Sequence, residues 1–97
     1  MQTTPHLLSE LIRAANTTPK LSEFSRARLL DRASDKIRIL RMQKGRHIEV
    51  GGDDIAFNAF MMARSVPRYS DDEISHALLD AAGAIWSLHI DPSVKTH

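Results

Sequence analysis

The stretch Ile55–Ala63, with the sequence IAFNAFMMA, constrains the fold more than any other part of the chain. It is apolar around nearly the whole circumference of a helix, and its alanine and methionine content favours helix over strand. A helix that is apolar on all sides is normally buried on all sides, so we predict a central helix over about residues 54–65. Asp53 or Asp54 would cap its start, and Pro67 would end it.

Helix one is predicted from the pair Thr4-Pro5, which has the form of an N-cap followed by a first helical residue. We expect it to run to about Ala15 as an amphipathic surface helix. Its apolar face is formed by Leu7, Leu8, Leu11, Ala14 and Ala15, with Ile12 at the edge.

Helix two is predicted to be the longest, over about residues 19–44. Thr18 before Pro19 repeats the start signal of helix one, and Gly45 suits the residue after the end. A heptad-like apolar seam runs along it, formed by Leu30, Ala33, Ile37 and Leu40.

Helix four has the strongest local signal in the chain. Ser70 and Glu73 form a capping box, so we predict a helix from there to about His89. Its main apolar face is formed by Ile74, Ala77, Leu78, Ala81, Ile85 and Leu88. A second apolar face is formed by Leu79, Trp86 and Ile90 beside Gly83. One buried face suffices for an amphipathic helix, so the second predicts a contact with helix one, with a second subunit or with a foreign partner.

The fold class that follows is all-α, a single domain of four helices over residues 1–97 with frayed ends near 1–4 and 92–97. The segment 46–50 alternates like a strand. A lone strand lacks a partner within a helical monomer, so it would pair with its copy in a second subunit if it forms.

The composition excludes several classes of protein. The chain has no cysteine, which removes disulfides, thiolate zinc sites and cysteine nucleophiles. No apolar run approaches the roughly 20 residues that span a bilayer, and the first residues lack the pattern of a signal peptide. We therefore expect a cytoplasmic protein without membrane association.

Candidate chemistry is sparse. Asp72, His76 and Asp80 share one face of helix four, where they could ligate a metal or relay a proton. That face lies opposite the apolar one, so a solvated surface is the favoured interpretation. The other histidines are scattered without ligand spacing, at His6, His47, His89 and His97. With no set of nucleophile, base and orienting group, we predict no enzyme, no catalytic residue, no metal and no cofactor.

Charge is unevenly distributed along the chain. Residues 1–46 carry ten Lys and Arg against four Asp and Glu, whereas residues 47–97 carry three against eight. The candidate nucleic-acid-binding residues are Arg28, Arg32, Lys36, Arg38, Arg41 and Arg46. Asp31 and Asp35 on the same helix, and the absence of interleaved aromatics, favour a solvated charged face instead. The acidic half could dock on a basic partner, although acids in a first helical turn are also ordinary capping.

Two classes of function are consistent with these sequence features. The first is a small non-enzymatic regulatory or adaptor protein that acts by protein–protein interaction, expected to be a homodimer. Its interface residues would be Leu79, Gly83, Trp86 and Ile90, with helix two as the other candidate surface. The alternative is a dimeric DNA- or RNA-binding regulator that uses the basic long helix.

Overall fold

The computed structural model describes residues 3–43 and 54–90. These residues form four α-helices, and two short 3₁₀ turns follow the first and the third of them. The helices are α1 (Thr4–Asn16), α2 (Glu23–Gln43), α3 (Ile55–Ala63) and α4 (Asp71–Ile90), and the turns are Thr18–Lys20 and Val66–Arg68. The described ranges contain no strand, so the prediction of an all-α fold with four helices is confirmed. The strand considered over 46–50 lies outside the described residues.

The N-terminus of α1 lies one residue earlier than predicted. Thr3 is the N-cap, and its hydroxyl oxygen accepts a hydrogen bond from the backbone N–H of His6 at 3.3 Å. Thr4, predicted as the cap, is instead the first helical residue and is buried. The predicted apolar face of this helix is buried throughout, while Ile12 at its edge remains exposed.

The start of α2 was predicted four residues too early. The hydroxyl of Thr18 donates to two carbonyl oxygens in the last turns of α1, at 3.0 and 3.1 Å, so Thr18 closes α1 and does not open α2. Pro19 lies in the 3₁₀ turn. The N–H of Ser25 then bonds to the side-chain oxygen of Ser22 at 3.0 Å, and α2 begins at Glu23. The second Thr-Pro pair therefore serves a tight turn.

The helix at the centre is α4. It packs against α1, α2 and α3, whereas α1 and α2 touch each other little. The largest fully buried apolar side chains come from α1, α2 and α4, and they are Leu11, Leu30, Ile37, Ile74, Leu78 and Ile85. The predicted seam of α2 is buried in full.

The prediction that α3 is buried on all sides is wrong. Its buried residues are three alanines, Ala56, Ala59 and Ala63, while Met61 is 47% exposed. Alanines let α3 approach α2 and α4 closely, and its larger apolar side chains are only partly buried or, in Met61, exposed. Phe60 is covered by arginine: the guanidinium carbon of Arg64 lies 3.8 Å from the ring centroid. A cation over an aromatic face is favourable and shields the ring from water without burying it in a core.

Two polar contacts fix α3 against α2. Asp54 caps α3 by accepting the N–H of Phe57 at 2.8 Å, and it also pairs with Arg41 at 2.7 Å. The Asp54 side chain is only 6% exposed. The fully buried hydroxyl of Ser34 donates to the carbonyl oxygen of Ala56 at 2.8 Å. These bonds set the register of the two helices.

Candidate interaction surfaces

The direction and start of α4 are fixed by local bonds that the sequence predicts. The N–H of Ser70 donates to the Glu73 carboxylate at 2.9 Å, and the N–H of Glu73 donates to the Ser70 side-chain oxygen at 3.1 Å. Asp71 in the same turn pairs with Arg26 of α2 at 2.8 Å. The capping box is confirmed, and it holds α4 in place at the end nearest the start of α2.

A groove separates α1 from α4 on one side of the molecule. The hydroxyl of Ser75 donates to the carbonyl oxygen of Ala15 at 2.8 Å, which joins the end of α1 to the start of α4. The two helices are therefore antiparallel. Further along, an apolar groove of about 270 Å³ opens between them, lined by Leu8, Ile12, Leu79, Ala82, Gly83 and Trp86. We call it the α1–α4 groove.

The second apolar face of α4 remains open to solvent. Trp86 is 52% exposed, Ile90 51% and Leu79 41%, and Ile12 of α1 beside them is 46% exposed. Gly83 lies among them, and a Cβ built on it would meet no described atom within 4 Å apart from the backbone of α4 itself. Leu79, Gly83, Trp86 and Ile90, which we call the α4 apolar row, are four, three and four residues apart. α1 lies beside this row without covering it. The row therefore stays exposed, although helix one was one of the three partners predicted for it.

A second groove, between α3 and α4, was not anticipated from the sequence. It has a volume of about 430 Å³, and we call it the α3–α4 groove. Its apolar lining comes from Ile55, Ala59, Met61, Met62, Tyr69 and Ala77, and its polar lining from Asn58, Glu73, His76 and Asp80. Residues 73, 76 and 80 are at helical spacing on one edge of α4, which is the signal that could have pointed to this surface.

The row of Asp72, His76 and Asp80 forms no metal site. The Nδ1 atom of His76 is hydrogen-bonded to the backbone carbonyl oxygen of Asp72, 2.9 Å away, and all three residues are exposed. No group of three or more side chains suited to binding a metal occurs in residues 3–43 and 54–90. His6 and His89 are exposed, while His47 and His97 lie outside the described ranges.

Half of the predicted basic cluster is paired with acids. Arg32 pairs with Glu10 of α1 at 3.2 Å, Arg38 with Asp35 at 2.6 Å, and Arg41 with the buried Asp54. Arg28 and Lys36 have no carboxylate within ion-pair distance among the described residues. Arg46 lies outside them. The long helix therefore presents alternating charge and not a continuous cationic stripe.

The comparisons with known proteins found no match. No family model, no curated protein and no solved structure is significantly similar to this chain. The surfaces described above are accordingly the basis for any functional conclusion. Within the described ranges, no helix has the length and apolar character needed to cross a membrane.

Proposed function

We propose that this chain is a small non-enzymatic adaptor or regulatory protein that acts by protein–protein interaction and self-associates through the α4 apolar row. The observation that supports this proposal is the exposure of three large apolar side chains of that row, Leu79, Trp86 and Ile90. Single exposed apolar residues are normal, but a contiguous apolar patch marks an interaction site. Tryptophan is also among the residues that contribute most at interfaces.

The spacing of the row suits a helix as the binding partner. Steps of four and three residues match the seam by which one helix packs along another. Gly83 in the middle allows a second backbone to approach closely, since no atom of the described residues outside the backbone of α4 lies within 4 Å of where its Cβ would be. A two-fold axis passing near Gly83 would place Leu79 of one copy against Trp86 of the other, which satisfies the self-complementarity that a symmetric dimer requires.

The test is the mass of the protein in solution, measured by light scattering coupled to size exclusion. We expect twice the 10.9 kDa chain mass at concentrations above about 10 µM, a range typical of modest interfaces. Trp86→Glu should give the monomer mass because it places a charge in the row. Met42→Glu is the matched control, since Met42 is more exposed than Trp86 and lies on another helix.

Two results would contradict the proposal. One is a wild-type protein that stays monomeric up to about 100 µM, which would mean a self-affinity too weak to matter. The other is a dimer that both glutamate variants leave intact. A dimer that Met42→Glu dissociates and Trp86→Glu does not would move the interface to α2, the other surface considered from the sequence.

The nucleic-acid alternative rests on Arg28 and Lys36, the two candidate cations that have no carboxylate within ion-pair distance in the described part of the chain. Binding through them would fall steeply with salt, and charge reversal at both positions would lower the salt slope by about one per lost phosphate contact. A wild-type protein that leaves duplex DNA unshifted at low salt would exclude this function.

The absence of cysteine supports a cytoplasmic location, which remains part of the proposal.

A further inference from the structure

We propose that the α3–α4 groove binds a basic amphipathic helix of a partner protein. This inference does not depend on self-association, because the groove and the α4 apolar row lie on different flanks of α4 and share no lining residue. The two features that support it are the apolar floor of the groove and two carboxylates along its edge that have no Lys or Arg partner among the described residues.

The floor of the groove is apolar and adaptable. Met61 is half-exposed, and Met62 and Tyr69 are partly buried beside it. Methionine has an unbranched, polarisable side chain that adapts to the shape of what it contacts, and methionine-lined surfaces are typical of grooves that bind helices. Ala59 contributes a small side chain to the lining between these larger ones.

The edge of the groove is acidic, and the described residues provide no cation paired with it. Glu73 and Asp80 both line it, and no Lys or Arg in the described ranges lies within 4.0 Å of either carboxylate. The paired acids of the same ranges are Glu10, Asp31, Asp35, Asp54 and Asp71. Asp72, next to Glu73 in the chain, is also exposed and has no Lys or Arg partner within the described ranges. The unpaired negative charge of the described chain is thus concentrated on α4 beside an apolar groove, which favours a positively charged ligand.

The spacing of the two acids suits a helical ligand, because it equals about two helical turns. Seven residues separate Glu73 from Asp80, which is close to two turns and about 10 Å along α4. A ligand helix in the groove would place its apolar stripe at i, i+3, i+4 and i+7 on the methionine floor, with lysines or arginines two turns apart facing the acids.

A second copy of this chain does not supply such a helix among its described residues. The basic helix α2 has its apolar seam, including Leu30 and Ile37, fully buried in its own core. It could present cations to the groove, but its exposed large apolar side chains, Phe24, Ile39 and Met42, fall short of a stripe at i, i+3, i+4 and i+7. The ligand is therefore expected to come from another protein.

The experiment measures fluorescence anisotropy of labelled peptides titrated with the whole protein. The first peptide has about 18 residues, five turns of helix, with a leucine stripe and a lysine face. The second has the same leucine stripe with glutamate in place of lysine. We expect saturable binding of the first peptide and at least tenfold weaker binding of the second. Raising the salt from about 0.1 M to about 1 M should weaken the first complex, because screening shortens from about 10 Å to about 3 Å.

Matched variants separate this groove from other surfaces. Glu73→Gln with Asp80→Asn removes both charges while a glutamine still completes the capping box, and we expect about fivefold weaker binding. Met61→Gln should weaken binding by a similar factor. The controls are Met42→Gln and Glu23→Gln, an exposed methionine and an exposed unpaired acid on α2, and both should bind as the wild type does.

Three outcomes would overturn the inference. The first is absence of binding of the lysine peptide at about 100 µM protein, and the second is equal affinity for the two peptides. The third is loss of binding in Trp86→Glu with no effect of Met61→Gln, which would assign the peptide to the α1–α4 groove. A protein that proves monomeric but binds the peptide through Met61 would refute the proposed self-association and leave this inference standing.

Discussion

Substitutions at Gly83 test the proposed dimer most directly. The same substitution should stabilise the monomer and weaken a dimer. It lies inside the 20-residue helix α4, on the exposed side, where a glycine costs about 1 kcal/mol relative to alanine. Within the described part of the chain, a Cβ at this position meets no atom within 4 Å beyond the backbone of its own helix. Gly83→Ala should therefore add about 1 kcal/mol to the free energy of unfolding of the monomer, and Gly83→Leu slightly less.

The stability assay is thermal unfolding followed by circular dichroism at low protein concentration, where self-association contributes little. For a domain of this size, 1 kcal/mol corresponds to a rise in Tm of about 4–8 °C. Ser87→Ala is the matched control, since Ser87 is also exposed on α4 and gains a smaller amount of helix propensity, about 0.5 kcal/mol. The order of Tm should be Gly83→Ala, then Ser87→Ala, then the wild type.

The association assay is sedimentation equilibrium on the same variants. If a second helix packs across Gly83, the leucine side chain fills the space that its backbone needs, and overpacking of this kind costs about 1–3 kcal/mol. This corresponds to a dimer dissociation constant about 5- to 150-fold higher. Gly83→Ala should give a smaller increase in the same direction.

Two distinguishable results would contradict this prediction. A Gly83→Leu protein that is more stable as a monomer and associates as tightly as the wild type would show that no helix packs at Gly83. A Gly83→Ala protein that is less stable than the wild type would show that the space in front of Gly83 is occupied.

Further predictions concern the bonds that hold the helices in register, and all are measured as changes in the free energy of chemical unfolding. Asp54→Ala should cost about 2–4 kcal/mol because it removes both the cap of α3 and the partner of Arg41, whereas Asp54→Asn should cost about 1 kcal/mol less because asparagine still caps. Ser34→Ala should cost about 1 kcal/mol for its buried hydrogen bond. Ser70→Ala should cost about 1 kcal/mol and Glu73→Gln almost nothing, since glutamine completes the capping box. A chelator should leave Tm unchanged, because the described ranges contain no cluster of metal ligands.

The parts of the fold that follow from local chemistry were predictable. The capping box at Ser70 and the apolar periodicity of helix one depend on residues within a few positions of one another, and both are confirmed. The start of α2 was not predictable in this way, because Thr18 can either open a helix or close one. Its hydroxyl bonds backward to α1, and nothing in the Thr-Pro pair itself determines that direction.

The burial of α3 differs from the prediction, and this difference shows how far composition can predict burial. Its sequence is apolar on every side, yet the aromatic Phe60 is covered by Arg64 from its own helix end and approached by Arg38 from α2 at 5.7 Å. The aliphatic and planar parts of arginine take the place that a core side chain would otherwise fill. Such a contact depends on the register between two helices, which the pair Arg41–Asp54 helps to set.

The two candidate surfaces differ in how far the sequence alone could predict them. The α4 apolar row was visible in the sequence because its four members lie on one helix, at positions 79, 83, 86 and 90. The α3–α4 groove combines Met61 and Met62 with acids more than ten residues further along the chain. Periodicity describes one helix at a time, so a surface shared by two helices appears only when their packing is known.

If both proposals hold, a partner with two basic helices should bind differently from a single peptide. No residue lines both surfaces, so we expect a dimer formed through the α4 apolar row to leave the methionine floor of both α3–α4 grooves accessible. A partner with two basic helices on one chain would then bind both copies at once, with the affinity gain that a high effective concentration provides. Trp86→Glu should weaken binding of such a two-helix partner much more than binding of a single peptide. Equal weakening of both would mean that Trp86 contacts the ligand directly and that the two surfaces are one.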